Sequence, residues 1–347
     1  MWARLLYRLR WRAPDWGRLL QSWKLSVVLM VLAIFYYVLV AVWSVSSPPH
    51  VVGRIASLLP FWLVWVGLLV NTAFCLWARR ARIRQEAPTF LFHGAFFLVA
   101  AGFVGTLLAR QETKVRVAVD EDYTAAQGQV VESSEPKALG TGVPELSFRV
   151  ESVEPEFWGE MLLFTELKAQ LAFPDGSRAT TRINRPLWLG WDTFLRLSGF
   201  GYAPRYELKG GAGESLDSAF VKLNVFPPGQ RDWFVPQGWP HRIYLEVFPD
   251  YEPGPNGAPG TKTLNLRNPA LAVRVLRGKA DLGSALLQGT ESIEYEGLRL
   301  NFPEIHVWGE FSIVRDPGAP LLFLGYGFGL AGLIWKLATR AGNGDAT

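Results

Sequence analysis

The chain has 347 residues, 49% of them hydrophobic and 19% charged, a mixture that excludes a bundle made only of membrane helices and points to spans joined to a polar domain. A single cysteine, Cys75, excludes an internal disulfide, a CxxC pair and a Cys-rich zinc site. The net charge of +4 invites a nucleic-acid reading, but its distribution removes it: residues 110–317 hold 22 Lys and Arg against 28 Asp and Glu, a net of −6, while the rest holds 13 against 3, a net of +10.

In chain order, residues 1–24 form a basic tail with Arg4, Arg8, Arg10, Arg12, Arg18 and Lys24. Three apolar runs follow, at about 25–45, 58–77 and 90–108, each near the ~20 residues that cross the hydrocarbon. The first is too long for a cleaved signal peptide and has no small-residue cleavage site after it. A fourth run occupies about 318–338, before a short tail at 339–347. Arg79, Arg80, Arg82 and Arg84 follow the second run, Lys336 and Arg340 close the fourth, and the first loop, "SSPPHVVGRIAS", has only Arg54. Basic residues stay on the cytoplasmic side, so both termini are expected inside and residues 109–317 outside. The basic residues are topogenic, and they can also touch anionic membrane lipid. The 15 tryptophans suit membrane interfaces, where one end of the ring is apolar and the other wet.

Residues 109–317 alternate apolar and polar positions. Val115–Val119, Leu146–Val153, Ala219–Phe226, Arg242–Phe248, Leu271–Leu276 and Ile305–Val314 all read as strands with one buried face. Turn clusters such as "FPDGSR", "KGGAGES" and "DYEPGPNGAPGT" separate them. The expected fold class is therefore an α+β membrane protein: four transmembrane helices and a large extracytoplasmic all-β domain, antiparallel and sandwich-like.

No phosphate loop, G-x-S-x-G elbow or H-E-x-x-H pair occurs in the β region, and its carboxylates read as solvated strand faces. His50 sits in the first loop, and His241 at a turn into a strand. His306 alternates with Ile305 and Val307, and reads either as edge of core or as a cofactor ligand. His93, in "TFLFHGAFFLVAAGFVG", is the one histidine in a span. A polar group inside a membrane helix faces protein or a cavity, and a neutral imidazole ligates iron or copper. The residue alone also allows a bland role, snorkelling to the inner headgroups or bonding another helix.

Four stretches carry a resemblance: "LLVNTAFCLWARR" (Leu68 to Arg80), "FLFHGAFFLVAAGFVG", "INRPLWLGWDTFLRLSGFGYAP" (Ile183 to Pro204) and, most of all, "GEFSIVRDPGAPLLFLGYGFGLAGL" (Gly309 to Leu333). Together with the order of helices and β domain, they make the chain resemble the ResB family of System II cytochrome c biogenesis. That resemblance implies a multi-pass protein of the bacterial cytoplasmic membrane, or of the thylakoid in a photosynthetic cell. It implies a ResC/CcsA-like haem-handling partner, transient haem b shared with that partner, and delivery to the CxxCH cysteines of an apocytochrome c. It implies an axial ligand to haem iron at His93, and no more than a non-catalytic or co-catalytic part in a haem lyase. The first loop lacks the family's Gly-Thr and Pro-Gln pattern, the last helix has no histidine, and the chain is shorter than many members. Those departures leave a reading of another class: a membrane-anchored assembly subunit of an electron-transfer complex with no haem of its own. A transporter half is a third reading, for which no broken helix speaks.

Overall fold

The computed structural model describes residues 16–44, 59–125, 130–134, 138–142, 145–158, 164–224, 231–254, 257–289 and 291–344. The first loop with His50 and most of the basic tail lie outside the described residues. The chain divides into two compact units, Met1–Thr106 with Gly318–Thr347, and Leu107–Pro317.

The first unit is helical: α1 (Trp16–Leu20), α2 (Trp23–Ser44), α3 (Leu59–Ala78), a 3-10 turn (Arg80–Arg82), α4 (Ala87–Ala109) and α5 (Ala319–Gly344). Three stretches, Trp23–Trp43, Ala87–Ala109 and Ala319–Arg340, are long and apolar enough to cross a membrane. In α3 the apolar stretch Trp62–Ala78 is shorter. On α2, exposed apolar side chains run from Tyr37 and Met30 through Ile34 and Val38 to Val28 and Leu32, most of the way around the helix. A helix apolar around its whole circumference has no face for water, and lipid is the solvent that accepts it.

Glycines let α4 and α5 touch backbone to backbone. A Cβ on Gly318, just before α5, would collide with the Gly102 carbonyl, one on Gly325 would stand 2.7 Å from the Val99 side chain, and one on Gly332 2.7 Å from the Phe92 nitrogen. As the number rises on α5 it falls on α4, so the helices run antiparallel. The α5 contacts recur every seven residues, the spacing of a left-handed helix pair. In lipid, where apolar area drives no association, such close packing is what holds helices together.

The second unit is β. Its strands are β1 (Gln111–Ala118), β2 (Asp122–Thr124), β3 (Val130–Ser133), β4 (Ser147–Phe157), β5 (Phe164–Ala172), β6 (Arg178–Arg182), β7 (Leu187–Trp188), β8 (Thr193–Lys209), β9 (Ser215–Phe220), β10 (Asp232–Phe234), β11 (Arg242–Phe248), β12 (Tyr251–Pro253), β13 (Pro259–Thr261), β14 (Ala270–Arg277), β15 (Ala280–Gln288), β16 (Ser292–Tyr295) and β17 (Leu298–Arg315). One sheet has the order β3-β1-β17-β8-β7, with β16 on β17 and β9 on β8. Two four-stranded sheets, β2-β4-β5-β6 and β10-β11-β14-β15, and the hairpin β12-β13 complete the unit. The pairings between named strands are antiparallel.

The antiparallel pair β8–β17 forms a ribbon along the unit, with 17 and 18 residues in its strands. At ~3.4 Å per residue it spans roughly 60 Å. Each half supports its own core. Near Thr193 and Arg315, Leu195, Leu197, Phe311 and Ile313 pack with Phe148, Val150, Leu167 and Leu171 of β4 and β5. Toward the other end, Tyr206, Leu208, Leu300 and Phe302 pack with Ile243, Leu245, Val273 and Val275 of β11 and β14. The register slips between Asn301 and Glu304, where Pro303 has no N–H to give the ladder. The expected strands at Arg242–Phe248, Leu271–Leu276 and Ile305–Val314 lie within β11, β14 and β17. Of the one expected at Ala219–Phe226, β9 holds only Ala219 and Phe220; two bonds, Val221 N–H to Pro204 O and Leu223 N–H to Tyr202 O, continue the line, and residues 225 and 226 lie outside the described residues.

Candidate functional site

His93 lies nearly two turns inside α4, and its ring is half-buried. Its Nδ1 stands 2.8 Å from the carbonyl oxygen of Thr89, one turn back. A carbonyl only accepts, so in the neutral ring Nδ1 carries the proton and Nε2 the lone pair. Nε2 makes no hydrogen bond among the described residues. Phe92 and Phe96 flank the ring in T-shaped pairs, with centroids 5.1 and 6.2 Å away. At 100° per residue His93 lies about 140° around α4 from the seam that meets α5. Its neighbours divide accordingly: Ala95 is buried in that seam against Gly329, whereas a Cβ on Gly94 would meet nothing within 4 Å.

Helix α3 contributes a polar clamp rather than a ligand. Asn71 is 1% exposed. Its amide donates to the carbonyls of Leu20, at 2.6 Å, and Ser22, at 3.3 Å, and its oxygen accepts from Ser26 Oγ at 2.5 Å. One turn on, the Cys75 thiol donates to the Gln21 carbonyl at 3.4 Å. The break between α1 and α2 leaves the Leu20 and Gln21 carbonyls to side-chain donors, whereas the Ser22 carbonyl also accepts from the Leu25 and Ser26 N–H groups; in lipid each unmet backbone group costs several kcal/mol. The Asn–Cys spacing in "NTAFC" thus serves to close a helix break.

In the β unit the two histidines are not brought together. On β17, His306 Nδ1 stands 2.9 Å from the Val119 carbonyl and Nε2 3.0 Å from Glu304 Oε2. Each ring nitrogen thus has an oxygen of this chain at hydrogen-bond distance. Glu304 in turn accepts from Arg205, which, with His306, holds its carboxyl below the usual range despite partial burial. His241 is 1% exposed and packs on Trp239 with ring centroids 4.3 Å apart. Glu296 Oε2 is 3.3 Å from its Nε2, off the hydrogen-bond direction, so both ring nitrogens and the Trp239 indole nitrogen are buried without hydrogen bonds. Burial lowers the His241 pKa, Glu296 opposes that shift, and Arg277 adds to it. Among the described residues, no three His, Cys, Asp or Glu side chains are grouped to hold a metal ion.

Sequence reasoning singled out His93 because it is the only imidazole in a span. It did not read the partners of Asn71, which a spacing pattern cannot show. No protein-family model matches the chain, and no curated protein matches it.

Proposed function

We propose that this chain is the ResB-like subunit of a System II cytochrome c maturation complex. In this reading it has four spans, cytoplasmic termini and a sandwich-like β domain outside the bacterial cytoplasmic membrane. With a ResC/CcsA-like partner it carries haem b across and presents it to apocytochrome c. The observation that carries the reading is His93. Its Nδ1–H is held by the Thr89 carbonyl, which leaves Nε2 as a fixed donor on the face of α4 turned away from α5. Metal-ligating histidines are oriented by such a bond from the other nitrogen.

Haem is the cargo, and it brings an iron that takes an imidazole nitrogen and vinyl groups that become thioethers with cysteines. The chain's own part is to bind and orient. Thr89 fixes the ring, Phe92 and Phe96 flank it, and the partner supplies the second axial nitrogen. The order of elements and the "RDPGAP" approach to α5 support the same reading.

The test is a His93→Ala chain expressed with its partner and an apocytochrome. Insertion should be unchanged, since the helix stays apolar. Cytochrome c maturation should fall by an order of magnitude or more, and added imidazole should restore part of it by filling the vacated space. Normal maturation without His93 would make it a structural residue and favour the assembly-subunit reading.

A further inference from the structure

At one end of the β unit, three points of the chain meet at one level. Gln111 pairs with Arg315, and Arg315 pairs with Thr193. Gln111 and Arg315 stand two and four residues from the apolar helices α4 and α5. The level is therefore that of the two membrane junctions. Two further pieces of chain are fastened there. The β7–β8 turn, residues 189–192, is bonded through Asp192: its carbonyl accepts from the Asp316 N–H at 2.6 Å, and its carboxylate from Arg315 Nε at 3.2 Å. The loop at residues 138–142 is fastened through the Leu139 N–H to the Leu108 carbonyl, at 3.0 Å, and the Gly142 N–H to Gln111 Oε1.

Both pieces turn large apolar side chains to solvent. Trp191 is 65% exposed, Leu139 66%, Trp188 41% and Leu189 37%. Arg196, from the same end of β8, shares Glu112 with Arg110. Exposed tryptophan and leucine beside arginine, level with two membrane junctions, match the bilayer interface, where indole rings and cationic groups both find partners.

We propose that this rim, loop 138–142 and turn 189–192, is seated in the lipid headgroup layer and holds the β unit down on the membrane at two points besides its covalent junctions. The exposed tryptophans of the "PLWLGW" segment are then lipid anchors.

The test uses the full chain with Cys75→Ser, in which the hydroxyl can replace the thiol bond to Gln21. Spin labels are placed on Leu139→Cys, on Trp191→Cys and on Leu216→Cys. Leu216 is 50% exposed on β9, which pairs with the opposite end of β8. At ~3.4 Å per residue it is roughly 50 Å along the ribbon from Thr193. The proteins are reconstituted into nanodiscs of phosphatidylcholine and phosphatidylglycerol, and collisions with oxygen and with a soluble nickel chelate are compared. The expected result is an oxygen-to-nickel collision ratio at 139 and at 191 several-fold above that at 216. Nickel access at either rim site equal to that at 216 would overturn the proposal. So would shielding of the rim labels from both reagents, which would mean that a second copy of the chain covers the rim.

Discussion

His241 has lost its water to burial beneath Trp239 and gained no hydrogen bond in return. The folded state therefore favours the neutral ring, and its pKa lies below the ordinary 6.5. The sign follows: the contribution to stability is complete above the unfolded value and is lost as pH falls below about 6.5 toward the folded value. The melting temperature of the protein, followed by β-unit fluorescence, should drop with acidification in that window. His241→Phe, which keeps a ring against Trp239 and cannot take a proton, should flatten the drop. An unchanged acid slope in the variant would show that other groups set it. Asn71 makes the second residue-scale case. Asn71→Leu removes the donor from the Leu20 and Ser22 carbonyls at nearly constant volume, at an expected cost of about 1–3 kcal/mol. Thermal unfolding in detergent measures it, and an unaltered midpoint would mean that the break between α1 and α2 is satisfied in another way.

Among the elements, the α4–α5 seam is the most demanding. Ala95 Cβ and a Cβ built on Gly329 would stand 3.5 Å apart, within the range a disulfide bridges. With Cys75→Ser, the pair Ala95→Cys and Gly329→Cys should cross-link readily on oxidation. Adding Gly325→Leu should abolish the cross-link, because its side chain meets Val99 and the α4 backbone. A persistent cross-link would show that the seam tolerates bulk. The same seam shows what the sequence makes legible. Apolar length announces the spans, and a seven-residue glycine spacing is visible in the letters, but which helix the glycines meet is not. In the β unit, β11 and β14 are legible because strict alternation matches one buried face. β8 is not, because Gly199, Gly201 and Pro204 read as breakers. The structure gives the reason for Gly201: a Cβ there would meet the Leu223 carbonyl at 2.5 Å and the Trp308 ring at 2.6 Å. His93 stands out in the sequence on chemistry alone, as the one histidine in an expected span. The rim does not, since Leu139 and Trp191 are brought to one level only by strand register.

For the whole molecule, the charge split of +10 against −6 sets a definite expectation. A reporter fused after Thr347 should be cytoplasmic, and one inserted in the β12–β13 turn should be external. An external C-terminus would break the four-span reading. Under the proposed function the two units would have separate tasks, the helical one holding cargo at His93 and the β one presenting it on the far side. That division rests on haem reaching this chain at all. The most direct measurement is the haem content, by pyridine haemochrome spectrum, of the chain purified with the proposed ResC/CcsA-like partner, compared between the parent protein and His93→Ala. The account predicts haem b in the parent complex and most of it lost in the variant, with the two chains still copurifying. Equal haem in both, or none in either, would contradict it.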